Sequence, residues 1–176
     1  GDNYDEACAH AYELAAEHGY TFIHPFDDLA VATGQGTIAM EIIQELPLVD
    51  YILVPIGGGG LATGISTLAK LLKPNIKVIG VEPLNANCMQ VSLEAGKVCT
   101  LDDANTIADG TAVKTPGKKI FPYIQQNIDD IITIDDEELI VAFLDLIENH
   151  KMLAENSGLL TVAALKHLKV TGKKVV

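Results

Sequence analysis

Basic residues are scarce in this chain of 176 residues: 12 stand against 24 acidic ones, a formal charge of −12 at pH 7. That is the wrong sign for gripping a phosphodiester backbone or an anionic membrane, so nucleic acid and membrane surfaces are excluded as expected partners. No lysine at all occurs between Gly1 and Asp50. Cysteine is equally sparse. Cys8, Cys88 and Cys99 are odd in number and lack C-x-x-C spacing, which argues against a disulfide framework or a cysteine zinc site and fits a reduced, cytoplasmic compartment. No charged-then-apolar leader opens the chain, and its apolar regions are broken by glycine, proline or lysine before membrane-spanning length. The expectation is a soluble protein.

What is abundant is hydrophobic residues, at 48%, a level that suits strands covered on both faces. Asp2 or Asn3 can cap a first helix whose apolar positions Ala7, Ala11, Leu14 and Ala15 recur at helical spacing before Gly19. "YTFIHPF" reads as a strand stopped by Pro25. A helix is expected from Thr37 to Leu46, with Gln35 and Thr37 as capping candidates, and "YILVPI" as a buried strand after it. Leu61, Ile65, Leu68, Ala69 and Leu72 form the stripe of the next helix. "KVIGVE" is a strand, followed by a helix over Ala86 to Ala95 and an irregular stretch rich in Gly, Asp and Thr. Such a long loop in a compact domain tends to be functional. A helix over Lys118 to Gln126, the strand "DIITI", a helix capped by Asp135 or Asp136 and a last helix in "SGLLTVAALKHLK" complete the series. Strands alternating with helices predict an α/β fold: three layers, a mostly parallel sheet with helices on both faces. One compact unit is expected over residues 1–176.

Between the strand "YILVPI" and its helix stand Gly57, Gly58, Gly59 and Gly60. Ligands of parallel sheets sit beyond the carboxyl ends of strands, where the N–H groups of a first helical turn favour an anion. Glycines there can adopt positive φ and let backbone approach a phosphate closely, although a tight turn would also use them. The nucleotide-loop pattern G-x-x-x-x-G-K-[ST] fits Gly59 to Ser66 except that Ile65 replaces its lysine, which disfavours a triphosphate. Gly57, Gly59 and Ala62 also satisfy the dinucleotide fingerprint, with Glu82 at the next strand end as its ribose-binding acid. Spacing alone leaves that reading open.

"HPFDD", "GQGTIAMEI", "VPIGGGGLATGI", "VIGVEP", "IADGTAVKTPG" and "DDIITIDDEEL" together resemble, in content, order and spacing, the fold type II pyridoxal-phosphate enzymes, in their threonine ammonia-lyase (threonine dehydratase) and serine racemase branch. The resemblance spans nearly the whole chain and implies a large cofactor domain like that of tryptophan synthase β. It implies that Gly57, Gly58, Gly59, Gly60 and Leu61 hold the phosphate of pyridoxal phosphate. "ADG" matches a segment beside the cofactor ring, implying Asp109 and Gly110. "LAENSGLL" places a glutamate near the ring, implying Glu155, with Ser157 read as a helix cap. A monovalent or divalent cation is implied at Glu82 and the carbonyl of Ala86, but Cys88 stands where the third ligand is an acid, and a thiol is a poor partner for hard cations. His24, Asp27 and Asp28 read as a turn around Pro25. Lys114 matches a loop position and not a catalytic base.

The family's chemistry needs a lysine that bonds the cofactor aldehyde and takes the substrate α-proton; it sits well upstream of the tetraglycine loop, where this chain has none. The resemblance therefore implies a partial cofactor domain: the catalytic lysine, the small substrate domain and a C-terminal segment fall outside residues 1–176. The expected parent is a cytoplasmic homo-oligomer of amino-acid metabolism, in isoleucine biosynthesis, converting L-threonine or L-serine to a 2-oxoacid and ammonia; the chain alone is expected to be inactive. A serine racemase-like isomerase and a noncatalytic cofactor- or anion-binding module are the alternatives.

Overall fold

The computed structural model describes residues 4–176, so the expected caps Asp2 and Asn3 lie outside the described residues. Helices α1 (Tyr4–His18) and α2 (Leu29–Glu45) precede three strands, β1 (Tyr51–Pro55), β2 (Lys77–Pro83) and β3 (Asp130–Ile134). The strands pair in parallel in the order β1-β2-β3. Between them run α3 (Gly60–Leu72), α4 (Cys88–Ala95) and α5 (Phe121–Asn127), and after them α6 (Asp136–Asp145) and α7 (Asn156–Ala164).

Register sets Ile52 beside Val78 and Leu53 beside Ile79. Because strand side chains alternate, these pairs face opposite sides of the sheet. Ile52, Val54 and Val78 share a core with α2, α3 and α5, whereas Leu53, Ile79 and Val81 share another with α6 and α7. Two cores explain why the strands read as unbroken apolar runs. The fold is the expected three-layer α/β arrangement. Among the described residues, no helix is long and apolar enough to cross a membrane.

From β1 the chain steps through α3 to β2 and through α4 and α5 to β3. Helices α6 and α7 then return it to the other edge of β1, where Val175 bridges Tyr51 in parallel and the Leu53 N–H donates to Val176 O at 2.7 Å. The strand-like tail is thus paired as expected. Winding reverses at β1, and the crevice beyond a strand at such a reversal is where ligands of this architecture bind. The glycine loop leaves β1 at that point. Asp129 ties the layers together: it accepts from Lys70 Nζ at 2.6 Å, Lys77 Nζ at 2.8 Å and the Val78 N–H at 2.8 Å. Burial alone would raise its carboxyl, but these hydrogen bonds hold it below the usual carboxylate range.

Several local expectations are corrected. Residues 20–26 form no strand, since a strand needs a partner's N–H and C=O groups and none among the described residues pairs with this segment. Instead Phe22 lies 4.5 Å from Tyr12 between ring centroids. No residue of α1 is buried, so its apolar spacing marks no core stripe. Helix α2 begins eight residues before Thr37, capped by Asp28, which accepts from the Ala30 and Val31 N–H groups. Thr37 is interior, its hydroxyl donating to Gly34 O, and Gln35 is interior too. The helix expected over Ala86 to Ala95 begins at Cys88 after a short 3-10 turn, and the one expected from Lys118 begins at Phe121. Asp135, not Asp136, caps α6 through the Glu138 N–H. The position before α7 is taken by Glu155, so Ser157 is no cap.

Candidate cofactor site

Gly57 to Gly60 close β1 and open α3, and the helix start carries no side-chain cap. Among the described residues no side chain caps the N–H groups of its first turn, and they remain donors for an anion. Of the four, only Gly59 uses the positive φ open to glycine, at 101°. The other glycines are required by neighbours. A Cβ on Gly58 would enter the ring of Phe26, and one on Gly60 would lie 2.8 Å from Phe26 Cα. A Cβ on Gly57 would lie 3.1 Å from Thr111 Cα, and one on Gly59 2.6 Å from both Met89 Cε and Ile120 Cδ1. Four side chains are absent because protein packs against the loop from several sides; what the loop offers a ligand is backbone.

A cleft of about 490 Å³ opens beside this loop. All eight residues expected at the cofactor line it: Gly57, Gly58, Gly59, Gly60, Leu61, Asp109, Gly110 and Glu155. Asp109 and Gly110 arrive on a short 3-10 turn, where Asp109 Oδ1 accepts from the Gly110 N–H at 3.0 Å. The turn is held from outside the cleft: Asp136 accepts from Thr106 Oγ1 at 2.6 Å and from the Ile107 N–H at 3.2 Å, and Asn156 Nδ2 donates to Ile107 O at 2.9 Å. Glu155 stands at the start of α7, with Oε1 3.5 Å from where a Gly110 Cβ would be.

The cleft also takes in Tyr4, Phe26, Gln35, Thr111 and Ser157, which residue-type reasoning left out of the site. Ser157 is buried, and its hydroxyl lies 2.8 Å from the Cβ position of Gly110. Phe26 is set by the turn expected around Pro25. His24 Nδ1 accepts from the Phe26 and Asp27 N–H groups at 3.3 and 2.9 Å, and Asp27 Oδ1 accepts from the Lys119 N–H at 2.7 Å. The signal for Phe26 and Gln35 was present in "HPFDD" and "GQGT", whose fixed spacing to the glycines belonged to the same pattern. Lys114 is spent elsewhere, donating to Asp102 O at 2.9 Å, and among the described residues no lysine lines the cleft.

Glu82 does not reach the cleft. It is fully buried, its two carboxylate oxygens accepting from the Met89 and Gln90 N–H groups at 2.9 and 2.8 Å. A ribose-binding role at Glu82 is therefore excluded, and with it the support that residue lent a dinucleotide. Burial pushes its carboxyl up to about 8, against those two amide bonds, which favour the charged form. Cys88 Sγ lies 3.9 Å from Gly57 O; burial, with Glu82 beside it, raises the thiol well above its ordinary value. Ala86 is buried in the 3-10 turn before α4. Among the described residues no three His, Cys, Asp or Glu side chains gather around a metal position, and the donors at Glu82, Ala86 and Cys88 supply one carboxyl, already bonded, one backbone carbonyl and a thiol. The expected cation does not fit this set.

The phosphate end of pyridoxal phosphate does fit the residues present: a helix start without a cap from the described side chains, a loop without side chains and an open cleft also lined by Asp109, Glu155 and Ser157. Comparison with known proteins agrees. The family model described as pyridoxal-phosphate dependent enzyme matches residues 1–176. The biosynthetic L-threonine dehydratase IlvA of Pasteurella multocida is 50% identical over 166 residues, which is 94% of this chain and 32% of that protein. The chain thus spans about a third of the length of that relative. The processed form of threonine deaminase isoform 2 from Solanum lycopersicum superposes with a TM-score of 0.91 at 36% identity, over 98% of this chain and 52% of that one. Serine racemase from Dictyostelium discoideum superposes at 0.84 with 37% identity, over 96% and 55%. With glycine loop, cleft and family model in agreement over its whole length, the chain belongs to the pyridoxal-phosphate dependent enzymes.

Proposed function

We propose that this chain is part of the cofactor domain of a threonine ammonia-lyase that converts L-threonine to 2-oxobutanoate and ammonia. The observation that carries this reading is the convergence of Gly57 to Leu61, Asp109, Gly110 and Glu155 on one cleft at the uncapped start of α3. Names of the similar proteins support the substrate class. The first turn of α3 binds the phosphate through backbone N–H groups. Phe26, seated on Gly58 and Gly60, walls the cleft and excludes water, while Asp109 and Glu155, which line the same cleft, orient the ring end. When bound, pyridoxal phosphate supplies an electron sink that acidifies the substrate α-proton.

The lysine that takes that proton, the small substrate domain and the partner of the ring nitrogen belong to segments outside residues 1–176, so the chain alone is inactive. The complete enzyme is a cytoplasmic homo-oligomer serving isoleucine biosynthesis. A serine racemase-like isomerase is the second reading, favoured by the Dictyostelium discoideum superposition.

The test uses the full-length protein that carries this chain. It should show borohydride-sensitive absorption at the blue edge of the visible and release 2-oxobutanoate and ammonia from L-threonine. D-serine formed from L-serine without pyruvate would replace the lyase reading by the racemase one, and absence of the absorption would overturn both.

A further inference from the structure

We propose that Glu82 is a positioning residue for the phosphate loop and that it holds the loop through direct protein bonds, with no cation between. This rests on the cofactor reading above. The linkage is short. Glu82 ends β2 fully buried and binds the N–H groups of Met89 and Gln90 in the first turn of α4. Two residues at that helix start touch the glycine loop. Cys88 Sγ lies 3.9 Å from Gly57 O, and Met89, itself fully buried, places Cε 2.6 Å from where a Gly59 Cβ would stand. Gly59 is the loop's only left-handed residue and the N-terminal boundary of α3. Fixing α4 therefore fixes the turn from which the phosphate donors project.

The donor set argues against an ion in this linkage. A hard cation needs several oxygens at short range. Here Glu82 spends both oxygens on amides, and position 88 offers a buried thiol. Two amide donors at the helix start already occupy both oxygens of the carboxyl, the positions a cation would otherwise take. The β2 end and the α4 start are thereby joined without a third component.

The experiment uses the full-length protein and the metals alone. Calcium, magnesium and manganese chlorides, and potassium against tetramethylammonium at constant ionic strength, are titrated while the thermal midpoint is followed. No saturable shift is expected for the natural sequence, whereas Cys88→Asp, which adds an oxygen ligand, should acquire one. A saturable shift in the natural sequence that Glu82→Gln abolishes would overturn the proposal. For positioning, Glu82→Gln should move the phosphorus NMR resonance of the bound cofactor and weaken its retention roughly ten-fold, the cost of one misdirected buried hydrogen bond. If Glu82→Gln does not fold, Met89→Ala reads the same linkage, since it leaves the carboxyl bonds intact and removes the side chain resting on Gly59. An unmoved resonance in a folded variant sinks the positioning role. Failure of the natural protein to take up cofactor would sink the cofactor reading instead, and the cation titration would still stand.

Discussion

The backbone carbonyl of Ala32 occupies the space that a side chain on Gly64 would fill. Helices α2 and α3 therefore cross in near backbone contact, and on the reciprocal side a Cβ at Gly36 would lie 3.3 Å from Gly64 O. This crossing sets α3 relative to the rest of its core, and the first turn of α3 is the proposed phosphate end of the site. Gly64→Ala should lower the free energy of unfolding by about 1–3 kcal/mol, the usual cost of overpacking. Gly34→Ala, two residues before Gly36 with nothing within 4 Å of the added methyl, should raise it by about 0.5–1 kcal/mol through helix propensity. Urea unfolding of the two variants checks both signs; equal effects would remove the crossing as the reason for Gly64.

The same crossing shows why the start of α2 was hard to read. Gly34 and Gly36 look like helix breakers in isolation, so the expected helix began at Thr37 instead of Leu29. Tertiary contact with α3 outweighs propensity there. Tyr20 to Phe26 failed in the opposite way: apolar and aromatic alternation satisfies a strand pattern, but no described strand lies beside it. The glycine loop, Asp109 and Glu155 were legible because several motifs kept their spacing at once. Ser157 was not, since a cap residue is ordinary in that place and only the fold brings it against Gly110; Phe26 stood in a motif that kept its spacing, but its seat on Gly58 is visible only in the fold. Glu82 was placed correctly at a strand end, yet its partners are main-chain N–H groups of α4, which carry no signature in residue type.

Asp136 offers a way to disturb the cleft without entering it. Its carboxylate holds Thr106 and Ile107, the residues that lead into the turn bearing Asp109 and Gly110. Asp135, its neighbour, keeps the α6 cap through the Glu138 N–H, so Asp136→Ala should leave the helix in place while freeing the turn. Expected are faster amide exchange over residues 106–111 and weaker cofactor retention by the full-length protein, with an unfolding free energy changed by less than about 1 kcal/mol. Unchanged exchange in that segment would show that Asn156, through Ile107 O, suffices alone.

His24 provides a pH dependence with a definite sign. Burial lowers its imidazole below the ordinary value, and the neighbouring Asp27 only partly opposes this. The neutral ring is also the one the turn requires, because Nδ1 accepts the Phe26 and Asp27 N–H groups and a protonated Nδ1 has no lone pair to accept with. A folded-state value below the unfolded one means that the unfolded chain takes up the proton first. The stabilisation is therefore complete above the unfolded histidine value of about 6.5 and is lost as pH falls through the lower folded value. Phe26 rests on Gly58 and Gly60, so loosening this turn loosens the wall of the phosphate cradle. Histidine NMR should give His24 a titration midpoint below the ordinary histidine value of about 6.5, and cofactor release from the full-length protein should accelerate across the same interval. His24→Asn, whose side-chain carbonyl accepts without titrating, should flatten that acceleration; an unchanged profile would assign the acid sensitivity to another group.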